Sequence, residues 1–169
     1  MHSFNDINQL LIDCINLQDN LLNKLYLLAN QPKAVELIKT HLTQKFDPLL
    51  LHLIKQFPEA IKISLLPEII NIMQYLDGNT KLCQEIILSI NTQWLEKHLW
   101  NYIIPILGQQ NYETFGILMY LFNSFSQKLS KKLAILALQS NDKDVQEIGE
   151  FYLSNNRCLL DDARSSLIC

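Results

Sequence analysis

The stretch LLHLIKQFPEAIKISLLPEII, residues 50–70, carries Pro58 and Pro67 inside an almost unbroken apolar run. A proline in a helix interior costs about 3 kcal/mol, because it removes a backbone donor and crowds the preceding turn. One long straight helix is therefore excluded, and the prolines must mark joints. Asp47-Pro48 opens the helix before them, a capping carboxylate followed by proline at the first helical position. Leu49, Leu50, Leu53, Ile54 and Phe57 recur at helical spacing, and that helix is expected to stop before Pro58. At Pro67 two arrangements stand open, since Ile61, Leu65, Ile69, Ile72 and Leu76 hold one face through it. Either the helix kinks there, or a short helix ends near Ser64 and another begins with Pro67 in its first turn. Asp77-Gly78 supplies the stop.

The device returns at Pro105, which stands 38 residues beyond Pro67 and follows Ile103-Ile104 as Pro67 follows Leu65-Leu66, with Gly108 closing the segment. Leu82, Cys83, Ile86, Ile87 and Ile90 form the helix between. A two-helix unit of this length is what HEAT and armadillo arrays repeat. Helical periodicity fills the rest. Phe4, Ile7, Leu10, Leu11, Cys14 and Ile15 are expected to face a core behind a Ser3 cap. A second segment starts at Asp19 with Leu21, Leu22, Leu25, Leu28 and Ala29 on one side. Pro32 suits a first helical turn before Val35, Leu37, Ile38 and Leu42. Tyr112, Phe115, Leu118, Met119 and Phe122 follow an Asn111 cap; Leu129, Leu133, Leu136 and Ala137 follow Ser126. In the last helix Asp142 caps, and Val145, Ile148, Phe151 and Tyr152 are expected to point inward. The expected fold is all-α: stacked antiparallel hairpins of about nine short helices, a degenerate HEAT/armadillo-like α-solenoid. Residues 1–154 read as a single all-α domain, and 155–169, with weak periodicity around Leu159-Leu160, as a C-terminal tail.

Composition narrows the function more than it reveals it. The chain is 49% hydrophobic and 18% charged with only 4 Gly, which argues against a turn-rich β-sandwich and against disorder. A net charge of -3 makes nucleic acid a poor partner, since phosphate binding needs a basic surface. The amino terminus has no basic segment before an apolar core, and no run is long and apolar enough to span a bilayer. Cys14, Cys83, Cys158 and Cys169 are scattered without a C-x-x-C pair, as for reduced thiols. A cytoplasmic protein with no membrane partner is expected.

Motifs of catalysis do not appear in the sequence. His2, His41, His52 and His98 form no H-E-x-x-H pair, no cysteine pair brackets them, and there is no G-x-S-x-G or glycine-rich cradle. No catalytic residue, metal or cofactor is expected, and the chain does not read as an enzyme. Lys128 and Lys132 are expected to lie beside Glu150 and Glu147 as a cross-helix charge ladder. Trp94 and Trp100, six apart on one helix, point to different faces, and an outward tryptophan is a candidate interface anchor.

Around the two prolines, the pattern of Leu51, His52, Ile54 and Phe57, then Glu59, then Leu66-Pro67 resembles the Immunity protein 30 family of bacterial polymorphic toxin systems. The likeness runs from Phe46 to Leu153 and is sharpest over its first third. It implies an all-α cytoplasmic immunity protein that binds a cognate toxin domain and neutralises it by covering its active site or substrate groove. For a nuclease toxin, carboxylates can mimic phosphate, which makes Glu59, Glu68, Glu96 and Glu113 the candidate contacts beside Trp94 and Trp100. The alternative reading is a HEAT-like scaffold or adaptor subunit of a larger assembly.

Overall fold

The computed structural model describes residues 4–75, 78–109 and 111–165. Ten α-helices and one 3-10 helix are present, with no strand among the described residues: α1 (Phe4–Ala29), α2 (Ala34–Gln44), α3 (Pro48–Gln56), α4 (Glu59–Ser64), α5 (Leu66–Met73), α6 (Thr80–Leu88), α7 (Thr92–Ile103), the 3-10 helix (Ile104–Gln109), α8 (Tyr112–Asn123), α9 (Gln127–Ala137) and α10 (Lys143–Ser165). The chain divides into two compact units, Met1–Glu68 and Ile69–Cys169. The last helix continues through 155–165, part of the expected tail; residues 166–169 lie outside the described ones, as do Ser3, Leu76 and Asp77.

Local chemistry sets most boundaries in the first unit. The Asp47 carboxylate accepts from the Leu49 N–H at 2.9 Å, with Pro48 in the first turn of α3, and the helix ends at Gln56, ahead of Pro58. The second of the two arrangements at Pro67 is the one adopted. α4 closes at Ser64, the Leu65 N–H bonding to the Ile61 and Lys62 carbonyls, and α5 opens at Leu66 with Pro67 in its first turn. There its missing N–H costs nothing. Pro32 lies in a turn two residues before α2 rather than in the helix. Pro105 also departs from its counterpart: α7 ends at Ile103 and this proline sits in the 3-10 helix.

The core of the first unit holds Leu25, Ile38, Leu42, Leu51, Ile54 and Leu65, with α1 against α2 and α3. α1 runs unbroken through Asp19, and only its C-terminal third is covered. Ile7, Leu10, Leu11, Cys14 and Ile15, expected in a core, are exposed. Periodicity defines an apolar face; what covers it depends on tertiary contacts, and the described residues of the first unit leave this part of α1 open.

Lys62 is a charged side chain in this apolar setting, 8% exposed on α4. Loss of hydration pushes its ammonium below the ordinary 10.5, with Glu59 opposing the shift and Lys55 adding to it. The unfolded chain thus holds this proton more tightly than the folded one. The penalty is full at neutral pH and fades as pH rises from the lowered folded value through the unfolded one. Lys62→Met is expected to stabilise the protein at pH 7 by no more than about 1 kcal/mol, the thioether filling the same space without a charge. The gain should shrink above about pH 10. Urea midpoints of the two proteins at neutral and alkaline pH test this, and a destabilised Lys62→Met at pH 7 would sink it.

In the second unit α8 lies at the centre, with Phe115, Ile117, Leu118, Met119, Leu121 and Phe122 all buried. α8 packs on α9, α9 on α10 and α10 back on α8. Asn111 caps α8 by accepting from the Thr114 N–H at 2.7 Å, and Ser126 caps α9 more loosely through the Leu129 N–H at 3.4 Å. The expected ladder between α9 and α10 does not form. Lys132 instead sets its ammonium 3.9 Å from the centre of the Trp100 ring.

Candidate partner-binding site

A helix buried almost all round should expose little, so what α8 leaves uncovered is informative. Its outer strip is Tyr112, Gly116 and Tyr120, one turn apart, with Glu113 beside them; Tyr112 is 55% and Tyr120 63% exposed. Three open depressions adjoin this strip. The first, of about 350 Å³, lies between α6 and α8, with Thr80 and Gln84 opposite Gly116 and Tyr120. The Gln84 amide reaches the Ile117 carbonyl at a long 3.5 Å and ties α6 to α8 in its floor. The second, of about 410 Å³, lies between α8 and α10, where Tyr112 and Gly116 meet Glu147, Phe151 and Tyr152. The third, of about 480 Å³ and polar, is bounded by Tyr75, Pro105, Asn111 and Glu113.

Two features give the strip its shape. Gly116 lines both of the first two depressions and has open space where a Cβ would stand. Phe151 stands 60% exposed and meets Tyr152 edge-on at 5.5 Å between ring centres. Partial burial raises the Tyr152 phenol above its usual pKa, so near neutral pH it remains a neutral hydroxyl, able to donate and accept. Tyrosine with a few carboxylates is a surface suited to protein recognition, since each ring offers a large rigid apolar area with a polar tip.

The six residues singled out from sequence do not gather in one place. Glu59 is exposed in the first turn of α4. Glu68, in the first turn of α5, gives one oxygen to Lys39 at 3.1 Å, while its Oε2 is buried without a hydrogen bond. Both belong to the first unit. The other four belong to the second. Trp94 is half-buried on α7 and heads a ladder with His98 at 4.8 Å and Tyr102 at 6.2 Å between ring centres. Trp100 is half-buried as well, stacked at 6.0 Å on Phe122 with the Lys132 ammonium over its ring. Glu96 is exposed on α7. Glu113 alone borders the α8 strip, where it adjoins two of the depressions.

Sequence reading missed Tyr112, Tyr120, Phe151 and Gly116. Tyr112 and Phe151 lie on apolar helical spacings, and Phe151 was expected inside, but both are exposed, lining the open depression between α8 and α10. The available signal was Tyr112-x3-Gly116-x3-Tyr120, a single-face stripe in which glycine interrupts an otherwise strong helix. Among the described residues no group of three His, Cys, Asp or Glu side chains could hold a metal ion, and no helix is long and apolar enough to cross a membrane. No protein-family model matches this chain, and neither does a curated protein or a solved structure.

Proposed function

We propose that this chain is an immunity protein, binding a cognate toxin domain one to one and covering that domain's active site or substrate groove. The exposed Tyr112–Tyr120 strip carries the reading: aromatic anchors between open depressions are the kind of surface on which a few residues supply most of the binding energy. Glu113 and Glu147 flank it on either side, and carboxylates next to aromatic rings suit a basic groove such as that of a nuclease. Rigid helices present these side chains, so little conformational freedom is lost on binding. The resemblance around Leu51–Pro67 points the same way. On this reading the helices are a degenerate HEAT-like series of antiparallel hairpins, the compartment is the cytoplasm, and the protein acts without catalysis or cofactor.

The test is co-expression with a toxin domain encoded beside this gene, scored by growth, and then titration of the purified pair. The native protein is expected to suppress killing. Tyr120→Ala and Phe151→Ala should each weaken binding by about 2 kcal/mol, roughly thirtyfold, with the fold intact because both side chains are exposed. Full affinity in both variants would move the binding face elsewhere. If no neighbouring toxin is suppressed and the tagged protein co-purifies with a multi-subunit assembly, the scaffold reading replaces this one.

A further inference from the structure

Independently of the α8 strip, α1 poses a packing problem that the described residues of the first unit do not solve. Ile7, Leu11, Cys14, Gln18, Leu21 and Leu25 step along it by four and three residues in strict alternation, and Leu28 extends the series. That period of 3.5 is the pattern of helices that wind around a second helix, in which each stripe residue inserts between four of the facing helix. Leu25 is buried against the rest of the first unit, but every residue from Asp6 to Asn20 is exposed, Ile7 and Leu11 each at 58%. Leu10 and Leu17 widen the stripe on one flank and Ile15 on the other.

The opposite side of α1 indicates what kind of surface covers the stripe. It carries Asp6, Asp13 and Asp19 with Asn and Gln between them and one apolar residue, Ile12, and Gln9 donates to Asp13 at 3.0 Å. Helices that lie on membranes present Lys and Arg on this side, and α1 has Lys24 as its one cation. The lipid surface is thereby disfavoured. At 26 residues the helix is about 39 Å long. Two such stripes pressed together would cover on the order of 1,000 Å², the lower edge of a specific interface.

We propose that the Asp6–Leu21 stretch of α1 is the dimerisation element of this protein, paired in parallel with α1 of a second copy. Gln18 argues for the direction. In a parallel pair it faces its own equivalent and the two amides satisfy each other, whereas in an antiparallel pair it faces an apolar side chain. The same register brings Cys14 opposite Cys14 of the second copy.

Light scattering on the full chain at tens of micromolar is expected to give twice the 19.6 kDa chain mass. The double variant Ile7→Lys, Leu11→Lys should raise the dissociation constant at least about a hundredfold while leaving circular dichroism and tryptophan emission unchanged. Asn16→Lys on the polar side should leave the dimer intact. Copper-phenanthroline in air should take two electrons and two protons from the facing thiols and yield a disulfide-linked dimer, absent in Cys14→Ser. A monomer mass for the native chain, or a dimer indifferent to the double lysine variant, overturns the proposal. Binding to lipid vesicles in place of self-association also overturns it, and a dimer that does not cross-link through Cys14 overturns the parallel register.

Discussion

Phe122→Ala should lower the stability of the Ile69–Cys169 unit by about 3–5 kcal/mol, the range for removing a fully buried aromatic ring. Phe122 is completely enclosed on α8, stacked on Trp100 at 6.0 Å and edge-on to Phe125 at 6.1 Å. Alanine would therefore leave a cavity and also remove the stacking partner of Trp100, whose ring also carries the Lys132 ammonium at 3.9 Å. Collapse of the site is restricted because the surrounding α8 residues are themselves buried and held in register by the helix. Both tryptophans of the chain lie in this unit, so a Trp94→Phe background makes Trp100 a direct probe of it. The expected result is a lower urea midpoint with an unchanged slope, together with red-shifted Trp100 emission in the native state. A loss below about 1 kcal/mol would mean that Trp100 and Phe122 are not packed as described.

How much of this was legible in the sequence depends on the range of the interaction concerned. The caps at Asp47, Asn111 and Ser126 are decided within three residues, and all three were readable. The joint at Ser64 is one of two arrangements the sequence leaves open, because a proline there is compatible with a kinked helix as well as with the start of a new one. Only the structure decides between them. The single helix through Asp19 was not readable, because Asp and Asn in mid-helix resemble a start signal and nothing nearby shows that apolar spacing continues on both sides. The binding strip failed for a different reason. Periodicity places Tyr112 and Phe151 on apolar faces, yet both line an open depression between α8 and α10, a tertiary feature that no local pattern encodes. Lys132 is similar: its nearest opposite charges in an idealised hairpin are on α10, but the π-face of Trp100 on α7 holds it instead.

The closeness of α9 and α10 at Gly149 is the second feature with a large expected effect. A Cβ at that position would stand 2.7 Å from the Ala134 carbonyl oxygen and 3.2 Å from both Ala137 Cβ and Leu138 Cδ2. The Leu138 methyl can rotate away; a backbone oxygen inside α9 cannot, so the helices must separate. Against this, glycine is the poorer helix former by up to about 1 kcal/mol, a gain any substitution recovers. Overpacking of a well-filled contact costs about 1–3 kcal/mol, and a β-branched side chain sits at the upper end. Gly149→Val is therefore expected to lose about 2–3 kcal/mol and Gly149→Ala about 1, with the steric term winning in both. Gly116→Ala serves as the control. It too is mid-helix without a positive φ, but it has open space at its Cβ, so it should gain about 0.5–1 kcal/mol. Because Lys132 on α9 covers Trp100, a displaced α9 should also change Trp100 emission in folded Gly149→Val, while Gly116→Ala leaves it alone. Equal and favourable effects at both glycines would show that propensity alone governs them and that α9 and α10 are not in close contact at position 149.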